Sequence, residues 1–157
     1  MNSTKIKSYA KINLALNITG KLKKLHKIES IVSFINLYDL IFIRKINSLK
    51  HQISFYGKFS KNINSRNTIS KLLSILDKYK LLNNQKFQIK VKKNIPHQSG
   101  LGGGSMNSAN ILNYLEKNNF IKIDQRQKVK ISNLVGSDVI LGFHRKSSII
   151  TSKGNIR

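Results

Sequence analysis

Residues 94–112 read NIPHQSGLGGGSMNSANIL, and this stretch decides the fold because it joins a predicted strand to a predicted helix. It contains the only proline of the chain and four of its nine glycines, namely Gly100, Gly102, Gly103 and Gly104. Glycine costs backbone entropy, so four within five residues indicate that something approaches the backbone too closely for a Cβ. Three explanations are open at this point: a phosphate group, another strand, or a loose hinge.

The order strand, glycine loop, helix favours a bound anion. Phe87, Ile89 and Val91 alternate with polar residues before the loop, and apolar spacing predicts a helix over 105–117 after it. A helix N-terminus offers unpaired N–H groups and a partial positive charge. The loop is not a Walker A motif, because no GK[ST] follows, and Ser105 stands where a dinucleotide fingerprint would have its third glycine. A flexible surface loop remains the alternative.

Composition indicates one folded domain over residues 1–157 without cysteine, so neither disulfides nor thiolate metal sites are available. Lysine and arginine number 29 against six acidic residues, a net charge of +23. Such a charge is typical of nucleic-acid binding. The lysines form no single block, however, and we favour biased codon usage together with a small polyanionic substrate. No segment has the pattern of a membrane span or a secretory signal, which predicts a cytosolic protein without a membrane partner.

Hydrophobic spacing along the rest of the chain predicts an α+β fold. Residues 8–18 alternate strictly and predict a strand with Ile12, Leu14, Leu16 and Ile18 on one face and Lys11, Asn13 and Asn17 on the other. The other predicted elements are strands over 28–36 and 40–46 separated by a turn at NLYD, a strand at QISFYG, a helix over 67–80 with Asn67 as N-cap, a helix over about 125–134, a turn and strand at VGSDVILGF, and a strand at SSIITS.

Three ordered motifs resemble those of one enzyme family. Pro96 followed by GLGGGS at 100–105 resembles the phosphate loop of the GHMP kinases, which phosphorylate small molecules. AKINLALNITGK at 10–21 resembles the family's first strand, and VGSDV at 135–139 resembles its GADVP turn. INLYD and RNTI also occur in the family's order, so the resemblance extends from about Ser8 to Phe143. It is strongest to the branch that phosphorylates 4-diphosphocytidyl-2-C-methyl-D-erythritol in the non-mevalonate isoprenoid pathway.

The resemblance implies roles for four residues outside the loop. Asp138 corresponds to the catalytic aspartate that takes the acceptor hydroxyl's proton, and Lys11 to the catalytic lysine that stabilises charge on the transferring phosphoryl group. Asn13 corresponds to the residue that holds the acceptor polyol, and His26 to the histidine that recognises its cytosine. Leu25 stands where the family typically has a stacking tyrosine. Without the motifs, Asp138 is more typical of a turn aspartate, Lys11 of a solvated lysine and His26 of ordinary surface.

Within the loop, the resemblance implies an ATP phosphate site with Mg2+. Ser105 is expected to contact a phosphate or the magnesium ion, and a helix cap is its alternative role. Met106 replaces the second serine that is usual in the family. The complete predicted phosphate-binding set is Pro96, Gly100, Leu101, Gly102, Gly103, Gly104 and Ser105.

The implied fold is the GHMP kinase N-terminal domain, which is ribosomal protein S5 domain 2-like, with the family's C-terminal domain absent. Because the family's active site lies between two domains, we expect a truncated chain that a homodimer partner or a separately encoded C-terminal half would complete. The catalytic motif begins at Ala10, which leaves no room for a transit peptide and predicts a bacterial cytoplasm. Three alternative functions stay open: another GHMP small-molecule kinase, a non-catalytic remnant, and a basic nucleic-acid-binding domain, which we favour least.

Overall fold

The computed structural model describes residues 3–22, 25–143 and 146–150; the side chains of residues 19, 21, 22, 25–28 and 150 lie outside the described part. In chain order the elements are β1 (Thr4–Leu22), β2 (Leu25–Ile46), β3 (Gln52–Tyr56), α1 (Thr68–Lys78), β4 (Lys86–Lys92), α2 (Gly103–Lys117), α3 (Gln125–Val135), a 3-10 helix (Val139–Phe143) and β5 (Ser148–Ile150).

The strands form one mixed sheet in the order β1-β2-β4-β3, and β5 also pairs with β2. β2 runs antiparallel to β1, β4 and β5, whereas β3 runs parallel to β4. Alternate residues of β2 and β4 are buried against the apolar sides of the helices, which gives one layer of sheet and one of helix. This arrangement confirms the predicted α+β class. The centre of the core consists of Ile41, Ile43, Phe87, Ile89, Val91, Leu72, Leu76, Leu112 and Leu115.

Local signals located the helices well. The Asn67 side chain accepts from the backbone N–H of Ile69 and Ser70, and Ser70 Oγ accepts from the backbone N–H of Asn67. The predicted N-cap of α1 is therefore confirmed as a capping box. Asp124 caps α3 in the same way through Gln127. The helix α2 begins at Gly103, two residues before the predicted start. No helix among the described residues is long and apolar enough to cross a bilayer.

Two predictions of secondary structure are wrong, a turn at NLYD and a strand within VGSDVILGF. The segment NLYD is not a turn, because β2 continues through it as a single strand of 22 residues. The pairing with β1 shifts here, from Tyr9 opposite Tyr38 to Lys11 opposite Phe34, so three residues of β2 face one residue of β1. Such a bulge bends the strand without ending it. The segment VGSDVILGF also differs, since its turn leads into a 3-10 helix rather than a strand.

The apolar face predicted for β1 does not enter the core. Leu14, Leu16 and Ile18 are 62%, 54% and 64% exposed and form what is called here the apolar strip. Lys11, predicted on the polar face, is instead only 6% exposed. Register shifts on both sides of Lys11 change which side of β1 faces the helices. The strip therefore lies uncovered within the described part of the chain.

Candidate active site

The glycine loop ends at a helix start that no side chain of the described residues caps. Gly102 is the N-cap residue, and the first helical bond runs from Met106 N to Gly102 O at 2.9 Å. The backbone N–H groups of Gly103, Gly104 and Ser105 are thus left without a capping acceptor, which is the arrangement that binds anions at helix N-termini. Ser105 lies inside the first turn, so its alternative role as the helix cap is wrong.

Gly102 lets the loop pass directly over Lys11. Its backbone is left-handed, with φ 68°, and an ideal Cβ at this position would lie 2.8 Å from Lys11 Cγ. A left-handed conformation and a close approach both require glycine here. The backbone N–H of Lys11 also donates to Leu101 O at 3.0 Å. The loop and the middle of β1 are therefore held in contact.

Lys11 lies between the side chains of Asn13 and Asp138, two residues that are far apart in the sequence. Its Nζ is 3.3 Å from Asp138 Oδ2 and donates to Asn13 Oδ1 at 3.1 Å. The lysine is almost fully buried, whereas the Asp138 side chain is 39% exposed. A buried ammonium therefore lies beside a carboxylate that solvent can still reach. The structure thus brings Lys11, Asn13 and Asp138 together beside the loop.

Ser105 connects the loop to the turn that carries Asp138. An ideal Cβ on Gly136 would lie 3.7 Å from Ser105 Oγ, so the first turn of α2 borders the Gly136–Asp138 turn. No group of three or more His, Cys, Asp or Glu within the described ranges could hold a metal ion by itself. Mg2+ commonly binds one or two protein oxygens together with phosphates and waters. The Ser105 hydroxyl and the Asp138 carboxylate fit that donor set.

A cavity of about 950 Å³ opens in front of the loop. All seven residues of the predicted phosphate set, Pro96 and 100–105, line it, and the residues around the start of α1 line the other side. Thr68 Oγ1 donates to Gly104 O at 2.8 Å and so joins the two helix starts. Because Asn67 caps α1, the uncapped N–H groups at this cavity belong to α2.

A buried ion pair beneath the loop was missed from sequence. Asp39 is fully buried, forms an ion pair with Lys93, and accepts from the backbone N–H of Asn94 and Ile95 at 2.8 and 2.9 Å. Asn107 Nδ2 of α2 also donates to Asp39 at 2.9 Å. The carboxylate therefore ties the start of the loop to the helix that follows it. With six acidic residues in the chain, an aspartate in INLYD was a signal that could have found it.

His26 is a predicted site residue of which the structure describes only the backbone. Its backbone pairs with Lys21 near the tip of the β1–β2 hairpin, whereas Asn13 pairs with Val32 in the middle. The side chains of His26 and Leu25 lie outside the described residues.

Comparison with known families matches residues 67–144 to the GHMP kinases N terminal domain. The 4-diphosphocytidyl-2-C-methyl-D-erythritol kinase of Pelagibacter ubique is 59% identical over 157 residues, which cover 100% of this chain and 56% of that protein. The enzyme of the same name from Fusobacterium nucleatum is 34% identical over 99% of this chain and 53% of its own. The chain thus spans about half the length of the curated relatives it matches.

Two solved structures establish the likeness of fold. A crystal structure of 4-(cytidine 5'-diphospho)-2C-methyl-D-erythritol kinase matches with a TM-score of 0.79 at 19% identity, covering 98% of this chain and 54% of that one. Homoserine kinase from Cytophaga hutchinsonii matches with a TM-score of 0.66 at 15% identity, covering 100% of this chain and 51% of that one.

Proposed function

This chain belongs to the GHMP kinases, with the fold of their N-terminal domain, and from that premise we propose that it transfers the γ-phosphoryl group of ATP to a hydroxyl of 4-diphosphocytidyl-2-C-methyl-D-erythritol, a step of isoprenoid-precursor synthesis. The observation that carries the proposal is the 3.3 Å contact between Lys11 Nζ and Asp138 Oδ2 beside an uncapped helix start. The relative named for this activity is similar over the whole chain, which supports the choice of acceptor.

The glycine loop holds the triphosphate in this proposal. The N–H groups of the first turn of α2 donate to phosphate oxygens, and the helix dipole adds a favourable field. Pro96 and residues 100–105 line the cavity in which the phosphates lie. Ser105 and Asp138 would hold Mg2+ on the protein side, and the ion would neutralise charge on the phosphates.

Asp138 acts as the base and Lys11 as the electrostatic stabiliser. The acceptor oxygen forms a bond to the γ-phosphorus, the bond from that phosphorus to the β–γ bridging oxygen breaks, and the hydroxyl proton passes to Asp138, so that ADP leaves. The Lys11 ammonium lies where negative charge gathers during this exchange, and burial strengthens its effect. Asn13, held by Lys11, is positioned to orient the acceptor polyol.

Recognition of the cytosine by His26 remains part of the proposal. Leu25 can cover a ring by apolar contact, but it offers no aromatic stacking.

A second domain is the proposed partner of this half. It would cover the apolar strip of Leu14, Leu16 and Ile18, since monomers rarely leave such residues grouped in solvent. The domain could lie on the same polypeptide, on a separately encoded one, or on a second copy of this chain. A bacterial cytoplasm is the proposed location, in keeping with bacterial relatives.

The test uses a completed enzyme, in which the remainder of the Pelagibacter ubique relative is fused after this chain. Asp138→Asn should abolish turnover while ATP still stabilises the protein against heat. Asp124→Asn is the matched control. Position 124 lies outside the site, and an asparagine there can still cap α3. Turnover that survives Asp138→Asn, or that falls equally in both variants, would refute the assigned role.

The alternatives predict different results in the same assay. Another GHMP kinase would phosphorylate a non-nucleotide alcohol, such as homoserine, faster than the cytidylyl polyol. A non-catalytic remnant would transfer phosphate to none of these acceptors, in the completed enzyme or as the chain alone.

A further inference from the structure

The side of the sheet that faces away from α1, α2 and α3, called here the outer sheet face, gathers five cations that form no ion pair among the described residues. Lys5 and Lys7 of β1, Arg44 of β2 and Lys90 and Lys92 of β4 occupy it, because the intervening residues of each strand face the core. They come from three strands, and the two outermost in sequence, Lys5 and Lys92, are 87 positions apart. This separation explains why the sequence showed no basic block.

Within the described part of the chain, no carboxylate lies among these cations. Asp77, Glu116, Asp124 and Asp138 belong to the helical layer and its connections, and Asp39 is buried. The sixth acidic residue, Glu29, pairs with Asn17 towards the far end of the β1–β2 hairpin. The outer sheet face is therefore uniformly basic even though ion pairs occur on the helical side. Such one-sided charge favours a negatively charged partner over a neutral or basic one.

Aromatic and amide side chains are interleaved with the cations. In register, Lys5 stands beside Phe42 and Phe42 beside Lys90, while Lys92 stands beside Tyr56, which is 44% exposed. Phe42 is half-buried. Rings that are at least partly exposed on a sheet stack with unpaired bases, whereas a duplex keeps its bases stacked internally.

A row of amides crosses the same face. Arg44 Nε donates to Gln88 Oε1 at 2.8 Å, and Gln88 Nε2 donates to Gln52 Oε1 at 2.7 Å. A depression of about 660 Å³ lies along this row and is lined by Phe42, Arg44, Tyr56, Gln88 and Lys90 among others. Cations, rings and hydrogen-bonding amides thus border one shallow groove.

We propose that the outer sheet face binds single-stranded nucleic acid, with its cations on the phosphates and Phe42 and Tyr56 against the bases. This surface is on the opposite side of the sheet from the glycine loop, so the proposal is independent of the kinase function. It assigns a partner to charges that phosphoryl transfer does not use.

The test measures binding of the unmodified chain to a fluorescent oligothymidylate over a range of salt concentrations. Changing Lys5, Lys90 and Lys92 to Gln should lower the slope of log affinity against log salt by about 2, since each contact to a single strand contributes roughly 0.7. The control changes three exposed helical-side lysines, Lys78, Lys117 and Lys122, and should leave the slope unchanged.

A second pair of variants tests stacking. Tyr56→Ala should weaken binding about tenfold, whereas Tyr79→Ala, whose ring at the end of α1 is also 44% exposed, should not. Equal losses in the two lysine triples would show only diffuse attraction and overturn the proposal. Equal or tighter binding of duplex DNA, or of phosphatidylglycerol vesicles, would overturn the single-stranded assignment in favour of a general polyanion or a membrane surface.

Discussion

Replacing Gly102 by alanine tests the contact between the loop and the catalytic pair. The new Cβ would lie 2.8 Å from Lys11 Cγ, about 0.7 Å closer than the ~3.5 Å at which carbon atoms pack. Lys11 is buried, so its stem has to shift, and with it the Nζ that lies 3.3 Å from Asp138. A shift of about 1 Å in a catalytic group can lower turnover by ~10²-fold.

Gly100→Ala is the matched control because it isolates the backbone contribution. Gly100 has φ 75°, close to the 68° of Gly102, but nothing lies within 4 Å of its ideal Cβ. Each alanine in the left-handed region should lower the free energy of unfolding by about 1–2 kcal/mol. Only Gly102→Ala should also displace Lys11.

The assay combines urea unfolding of both variants with kcat of the completed enzyme. With kcat measured at saturating ATP, so that any weaker ATP binding at Gly100 does not enter, we expect Gly102→Ala to lose on the order of 10² in kcat and Gly100→Ala to keep most of it. The reasoning would be refuted by a Gly102→Ala enzyme of parental kcat, or by two variants that lose the same amount.

Two further predictions concern stability. Asp39→Asn leaves Lys93 buried without its counter-charge and should lower the free energy of unfolding in urea by about 3–5 kcal/mol. Asp77→Asn, which breaks a partly exposed pair with Lys86, should lower it by about 1 kcal/mol or less. Equal losses in the two variants would contradict this prediction. Burial lowers the pKa of His51 below 6.5, against the opposing effect of Asp77. Below pH 6.5 the unfolded chain therefore binds a proton that the folded chain resists. The free energy of unfolding falls as the pH is lowered, by up to about 1.4 kcal/mol per pH unit. His51→Asn should remove that slope, and an unchanged slope would assign it to another group.

The loop and the helices were predictable because their signals are local. Four glycines, an Asn67 cap and apolar spacing each act within a few residues, and the structure has α1, α2 and α3 where these signals indicated. The order of the three motifs along the chain also predicted the family.

The strands were less predictable because their faces depend on pairing. Strict alternation in residues 8–18 indicated an apolar face, yet register shifts in β1 bury Lys11 and expose Leu14. NLYD looks like a turn by composition, but β2 continues through it and buries Asp39. Neither the bulges nor the Asp39 pair with Lys93 can be read from neighbouring residues, since their partners lie far along the chain.

The candidate site was predictable only in part. Motifs indicated Lys11, Asn13 and Asp138, and the fold brings the three together. Their roles in catalysis stay predictions, as does the role of His26.

The measurement that tests the central claim most directly is a single-turnover transfer from ATP labelled in its γ-phosphate. The completed enzyme, mixed with 4-diphosphocytidyl-2-C-methyl-D-erythritol, should move the label onto the polyol, and the Lys11→Met and Asp138→Asn forms should bind ATP without moving it. Label that stays on ATP in the unmodified enzyme, or that reaches the polyol in both variants, would contradict the account.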